Sequence, residues 1–439
     1  MPRERLHLIV MKFGGSCLDK PADIRRMVKI LKSTASLQPK AVLSAFKGTT
    51  DQLLNEASSA KGGSFDISKI ETKHQELVDD LPSAIRTQVQ PQIQSLLKEL
   101  RDTLTGVSYR GELTPPILDR IATYGEKLAI HVAAGYLAEG GLKGVPLSDS
   151  QAGILTNSNF GNATILEQSR QLVREKLGSI DIPLVAGFFG KDTDGRIATL
   201  GRGATDYIAT FIAAAFGCRT ILYKDVDGVM TADPKLVPNA KVISNLNYRT
   251  AIELGRYGSK VVFEKAVVPA MNAKTPIEVR PFEAEGGGTL ISSEGAGEAI
   301  SCMKSMAMVQ VSEIHGLNTV ASILSELDKV YPDDDPIAVA PLFKNEIALV
   351  TNENRSDKVV EVVRKIGAEM IVNVRRSLSL VAVVGGRFRQ SQVYESLRKM
   401  DVEPVIVIKA PSEMTVCAIV DQTETVASIR GLHDGLLVG

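Results

Sequence analysis

Hydrophobic positions in this 439-residue chain fall into short apolar runs separated by longer stretches of mixed polarity. Leu6–Met11, Lys40–Ala45, Ile182–Phe188 and Thr220–Tyr223 have the length and composition of buried strands. After Pro21 the apolar residues Ile24, Met27, Val28, Ile30 and Leu31 recur at helical spacing, with proline where a helix start tolerates it. Residues 52–104 are rich in Gln, Ser, Lys and Leu and lack glycine beyond Gly63, which predicts a helical insertion. Asp119–Gly140 reads as one further helix, and Tyr207–Phe216 as an apolar one. Short strands alternating with helices predict an α/β domain with a mainly parallel sheet. In such sheets ligands lie beyond the carboxyl ends of the strands. At Gly286-Gly-Gly288 the texture changes. Two strand-helix-strand units follow, roughly 306–372 and 377–439, whose similar size suggests a duplicated α+β module. The Asp333-Asp-Asp335 run reads as a solvated loop.

Composition narrows the function classes. With 44% hydrophobic residues the chain supports two or three domains. Its 51 basic and 51 acidic side chains balance, which argues against a dedicated nucleic-acid or anionic-membrane surface. No apolar run approaches the roughly 20 residues of a spanning helix, and Leu6–Met11 lacks a signal-peptide cleavage pattern. Cys17, Cys218, Cys302 and Cys417 are scattered without paired spacing, as expected of reduced cysteines in the cytoplasm. The five histidines do not cluster, so no His-based metal site is expected.

Candidate chemistry sits at the ends of the predicted strands. Lys12-Phe-Gly-Gly15 puts an ammonium beside two flexible peptides, suited to nucleotide phosphates although it is no Walker motif. Gly201-Arg-Gly-Ala-Thr-Asp206 runs into an apolar helix. Arg202 supplies a planar fork for a carboxylate or phosphate, and Asp206 a group to hold a cation or organise a phosphoryl transfer. Gly125-Glu126 places a carboxylate in a helix, where it is a solvated face residue or a ligand for an amino group. Lys224-Asp-Val-Asp-Gly228 and Thr231-Ala-Asp-Pro234 follow a strand and are rich in turn residues. Asp225, Asp227 and Asp233 lack the terminal glutamate of a calcium loop. Gly258-Ser-Lys260 follows a helix ending near Tyr257.

Taken in order, these motifs resemble the aspartate kinase family of the amino-acid-kinase fold. The matching residues are Lys12-Phe-Gly-Gly15, Ser44-Ala45 with Gly48 and Thr50, Gly125-Glu126 and Gly187-Phe-Phe-Gly190. They continue with Gly201-Arg-Gly203 and Asp206, Asp225-Val-Asp-Gly228 with Asp233-Pro234, and Gly258-Ser-Lys260, spanning residues 6–291. The tail resembles paired ACT domains, on Val381-Ala-Val-Val-Gly-Gly386 and Ser412-Glu413. The resemblance implies a three-layer α/β sandwich over 1–295, then ACT-like modules over 300–374 and 375–439. It implies transfer of the ATP γ-phosphoryl to the side-chain carboxylate of L-aspartate, the first step toward lysine, threonine and methionine. By the same resemblance Arg202 pairs with the substrate α-carboxylate, Glu126 with its ammonium, and Thr50 adds a hydrogen bond. Lys12, Lys260 and Asp206 are the catalytic set. Gly14, Gly15, Ser16, Lys224, Asp225, Met230 and Lys235 join Lys12 and Lys260 around the nucleotide, with Mg²⁺ arriving on it. A homodimer is expected, with an amino-acid effector at the ACT-like modules.

Departures from the family's pattern mark where specificity is open. Ala204-Thr205 replaces Gly-Ser, so Ala204 adds a Cβ where the backbone needs an unusual conformation. Lys224, Met230 and Lys235 stand where threonine, tyrosine and arginine are common. Ile314-His-Gly-Leu317 replaces the usual effector loop. Two alternatives stay open: a related kinase with another carboxylate acceptor, and a non-catalytic ACT-type amino-acid sensor.

Overall fold

The computed structural model describes residues 8–331, 338–343, 345–410 and 412–438, so Leu6 and the Asp333–Asp335 run lie outside the described residues. The chain forms two compact units. The first holds residues through Val229, then Val242–Ile252 and Val261–Gly295. The second holds Met230–Lys241, Glu253–Lys260 and the chain from Ala296.

The first unit contains β1 (Ile9–Phe13), β2 (Pro39–Leu43), β3 (Gly144–Leu147), β4 (Ile182–Ala186), β5 (Phe189–Lys191), β6 (Ile197–Thr199) and β7 (Arg219–Lys224). Further strands are β8 (Asn245–Asn247), β9 (Ile277–Pro281) and β10 (Thr289–Ser292). Its helices are α1 (Pro21–Ser33), α2 (Thr49–Lys61), α3 (Ser68–Asp79), α4 (Ser83–Arg110), α5 (Pro115–Ala122), α6 (Tyr124–Glu139), α7 (Ser169–Leu177) and α8 (Ala204–Phe216). Then come α9 (Tyr248–Arg256), whose end passes into the second unit, and α10 (Glu264–Ala273).

Eight strands form one sheet in the order β3-β4-β2-β1-β7-β9-β10-β8, and β5 pairs with β6 apart from it. All its pairings are parallel except β9 with β10. Strands β1, β2 and β4 are buried throughout, as covered parallel strands must be, hence their mainly apolar sequences, broken only by Lys12 in β1 and Lys40 in β2. On one face α8 packs on β1, β2 and β7; its almost wholly apolar sequence is buried nearly all round. The order β4-β2-β1-β7 makes neighbours of strands far apart in sequence. Their carboxyl-end loops, Gly187, Ser44–Gly48, Gly14–Ser16 and Lys224–Gly228, therefore lie along one edge.

Local differences from the sequence reading have physical causes. The predicted helix over 119–140 is two, α5 and α6, meeting at Thr123, whose hydroxyl bonds the Arg120 carbonyl. Helices α2, α3 and α4 make up the insertion and pack with α6. Gly286-Gly-Gly288 is not a domain boundary. All three glycines have positive φ and turn β9 back into its antiparallel partner β10; the first unit continues to Gly295.

The second unit is built on β11 (Ala299–Ser312), β12 (Ala338–Phe343), β13 (Glu346–Asn352), β14 (Ile371–Val384), β15 (Ile406–Lys409) and β16 (Thr415–Asp421). They form one antiparallel sheet, ordered β12-β13-β11-β14-β16-β15. Helices α11 (Leu317–Val330) and α12 (Ser356–Ile366) pack over one core with Val309, Ile323, Leu349 and Val363. Helices α13 (Gln390–Arg398) and α14 (Thr425–Leu436) pack over another with Val381, Val393, Ala418 and Leu432. The long strands β11 and β14 run through both halves, so residue 375 falls inside β14. Val237 joins the second core, and Arg430 donates to the Leu236 carbonyl, which ties Met230–Lys241 to this unit. The Glu253 carboxylate accepts the hydroxyls of Ser412 and Thr415 at 3.1 and 2.8 Å, which ties in the end of α9.

Candidate active site

Strand β1 carries Lys12 into the edge formed by the strand ends, and β7 carries Lys224 to the same place one strand away. The Asp206 carboxylate lies between the two ammonium groups. Its Oδ1 is 2.8 Å from Lys12 Nζ and its Oδ2 accepts from Lys224 Nζ at 2.5 Å. All three side chains are buried. Burial pushes the Asp206 carboxyl up, but Lys12 and Lys224 together outweigh it and hold the group below the usual carboxylate range. Burial pulls the Lys224 ammonium down, opposed by the attraction of Asp206. The triad has a net charge of +1 in a dry setting, which suits a phosphoryl group. Lys224 also lies over the Phe263 ring, 5.5 Å from its centroid.

Glycines make this geometry sterically possible. A Cβ on Gly14 would sit 2.9 Å from Lys12 Nζ, and one on Gly15 would sit 2.8 Å from the Ala45 carbonyl oxygen. Gly203, the N-cap of α8 at φ 71°, leaves room for Phe263, whose ring atoms come within 2.4 Å of where a Cβ would be. Ser16 is exposed beside them.

Across the strand ends, α6 presents Glu126. Gly125 lets this helix approach Ala45, whose Cβ is 2.7 Å from the Cβ position of Gly125. Glu126 Oε1 accepts the Ala45 N–H at 3.1 Å, and buried Oε2 has no partner. Burial raises the Glu126 pKa to about 8, against the pull of the Ala45 N–H. An unpaired buried carboxylate oxygen is costly without a cation, and a ligand ammonium would satisfy it. Thr49 is buried with its hydroxyl unpartnered, and Thr50 next to it is half-buried in the first turn of α2. Arg202 is exposed and makes no ion pair among the described residues, four positions before Asp206.

The Ala204-Thr205 departure is absorbed locally. Ala204 is the first residue of α8 with no positive φ, so its Cβ meets no backbone obstacle, contrary to the sequence expectation. Thr205 packs its methyl over Gly187, where a Cβ would come within 2.4 Å of Thr205 Cγ2. Next to it Phe188 has φ 100°, an unusual conformation for a bulky residue. Asp225 is exposed at the end of β7 in the first unit. Met230, half-buried, and Lys235 and Lys260, both exposed, belong to the second unit.

Sequence reasoning missed Asp119. This buried carboxylate accepts the Thr199 N–H at 2.7 Å, the Gly161 N–H at 2.9 Å and the Thr199 hydroxyl at 3.0 Å. Nothing in its local spacing marks it, because both partners are distant in sequence.

The amino acid kinase family matches residues 7–281. The chain is 28% identical to chloroplastic aspartokinase 3 of Arabidopsis thaliana over 97% of its own length and 80% of the relative's. It is 30% identical to the aspartokinase of Geobacillus stearothermophilus over 72% of this chain and 81% of that protein. Its fold matches E. coli aspartokinase III, solved in complex with aspartate and ADP (R-state), with a TM-score of 0.84 at 21% identity. That match covers 98% of this chain and 99% of the other.

Proposed function

Because the chain belongs to the aspartokinase family of amino acid kinases, we propose that it transfers the γ-phosphoryl group of ATP to the side-chain carboxylate of L-aspartate. The products are 4-phospho-L-aspartate and ADP. The observation that carries this reading is the Asp206 carboxylate held by Lys12 and Lys224, on the same helix turn that follows exposed Arg202.

In this reading Arg202 takes the substrate α-carboxylate in a bidentate pair and Glu126 Oε2 takes the ammonium. Thr50 adds a hydrogen bond. The acceptor carboxylate is ionised at neutral pH, so no general base is needed. One of its oxygens bonds to the γ-phosphorus while the bond from that phosphorus to the β–γ bridging oxygen breaks, and the electron pair leaves with ADP. No proton moves. Lys12 and Lys224 neutralise the charge that spreads over the equatorial oxygens, and Asp206 keeps both ammonium groups aimed. Gly14 and Gly15 leave the backbone open to the phosphates, and Ser16 and Asp225 add nucleotide contacts. Among the described residues no group of three or more His, Cys, Asp or Glu gathers as a metal cage. Mg²⁺ would come on the nucleotide phosphates and supply charge neutralisation there.

The four cysteines are free, which supports a reducing cytoplasmic setting, and no described helix is long and apolar enough to cross a membrane. The pathway position is the entry to lysine, threonine and methionine. Residues 300–374 and 375–439 act as ACT-like modules that bind an amino-acid effector and pair two chains. Coupled ADP release with aspartate, glutamate and N-acetylglutamate tests the reading. Aspartate alone should support turnover; preference for either other acceptor overturns the substrate assignment.

A further inference from the structure

Asp119 makes three hydrogen bonds that converge on the loop carrying Arg202. It lies on α5 and is 4% exposed. Oδ2 accepts both the Thr199 and Gly161 N–H groups, and Oδ1 accepts the Thr199 hydroxyl. Thr199 ends β6 three residues before Arg202. Gly161 belongs to the strip that runs alongside: the Ala163 N–H donates to the Thr199 carbonyl at 2.8 Å. That strip also lies against the turn itself. At Gly201, φ 78°, a Cβ would sit 2.9 Å from Asn162 Oδ1 and 3.1 Å from the Gly161 carbonyl oxygen. Asn162 Oδ1 is in turn held by Lys265 Nζ. The buried Asp119 carboxylate thus holds both the strand end that leads into the Gly201-Arg202-Gly203 turn and the strip that lies against Gly201.

We infer that Asp119 is a positioning residue for Arg202, setting the acceptor's α-carboxylate contact through Thr199 and Gly161. This inference rests on the role of Arg202 proposed above. Arg202 is exposed and has no ion pair among the described residues, so its direction comes from the backbone beneath it. A bidentate Arg–carboxylate contact demands that direction within a narrow tolerance. Removing the Asp119 carboxylate leaves the two buried Thr199 donors and the part-buried Gly161 N–H without their acceptor, and the turn is the element free to move in response.

The test uses the full-length protein with Asp119→Ala and Thr199→Val, each in the wild-type and the Arg202→Ala background. Asp119→Ala should raise the aspartate KM about 10- to 100-fold, the range of one charge-assisted contact. Its kcat and ATP KM should stay within about twofold of the parent. Thr199→Val, which removes only the hydroxyl donor, should raise the aspartate KM about threefold. In the Arg202→Ala background neither substitution should change kcat/KM for aspartate by more than about twofold, because the path ends at Arg202. An unchanged aspartate KM, an equal effect without Arg202, or a joint loss in kcat and both KM values overturns the inference. Should Asp119→Ala fail to fold, Thr199→Val decides the matter alone. Absence of aspartate turnover in the parent enzyme would instead reject the proposed function, which keeps the two failures apart.

Discussion

Glu126 offers the sharpest quantitative consequence. Its carboxyl is buried with one oxygen on the Ala45 N–H and the other unpaired. Burial raises its pKa from 4.5 to about 8, which corresponds to on the order of 5 kcal/mol against ionisation in the empty site. Only the ionised form pairs with a substrate ammonium. Without substrate, the group is mostly protonated below about pH 8, so binding must displace that proton. Affinity for aspartate should therefore fall as pH drops, approaching tenfold per unit below about 8. Glu126→Gln keeps an oxygen for Ala45 and the same volume but cannot ionise. It should lower aspartate affinity by about 100- to 1000-fold, the loss expected when a buried pair forfeits one partner. It should also abolish the pH dependence. The sign for folding runs the other way. A carboxyl whose folded pKa exceeds its unfolded value loses stability as pH rises from about 4.5 to about 8, so Glu126→Gln should melt higher than the parent at pH 8 without substrate. Steady-state kinetics at saturating ATP between pH 6 and 8.5, with thermal melts alongside, supply both readouts. A flat pH profile in the parent, or unchanged aspartate affinity in Glu126→Gln, would refute the assigned role.

Other perturbations bear on neighbouring parts of the site. Asp206→Asn leaves Lys12 and Lys224 facing each other; kcat should fall by at least about 10³-fold and stability at pH 7 by about 3–5 kcal/mol, read by denaturant unfolding. Because the folded pKa of Asp206 is depressed, that stability is present in the parent above the unfolded value and lost as pH falls through the folded one, so the two proteins should converge in acid. Lys224→Met should raise the ATP KM and lower kcat more than about tenfold while leaving the aspartate KM near the parent's, as expected of a cation serving the phosphates. Gly187→Ala forces a Cβ within 2.4 Å of Thr205 Cγ2 and should destabilise by about 1–3 kcal/mol. Adding Thr205→Ser should recover part of that in a thermal melt, since it removes the methyl in the way.

The first unit was readable in sequence where local chemistry and long-range placement agree. Buried parallel strands are apolar on both faces, so Ile9–Phe13 and Ile182–Ala186 announce themselves. Loops that must approach phosphate need glycine, so Gly14, Gly15 and Gly203 mark the site before its partners are known. Convergence itself was not readable from spacing, because it depends on the order β4-β2-β1-β7, which makes neighbours of strands far apart in sequence. Asp119 shows the limit from the other side: an aspartate on a short helix is indistinguishable from a solvated one until Thr199 and Gly161 are brought to it. Gly286-Gly-Gly288 misled for a related reason. A glycine run suits a linker and a tight turn equally, and only pairing of β9 with β10 decides between them. The segments Met230–Lys241 and Glu253–Lys260 joined the second unit through contacts such as Arg430 with Leu236 and Glu253 with Thr415, more than a hundred residues away, which no local pattern foretells.

The most direct test of the account is the fate of the phosphoryl group. Purified protein incubated with MgATP, aspartate and hydroxylamine should form aspartate β-hydroxamate in step with ADP, and Asp206→Asn should form neither above background. ADP release without hydroxamate, or hydroxamate formation undiminished in Asp206→Asn, would contradict it.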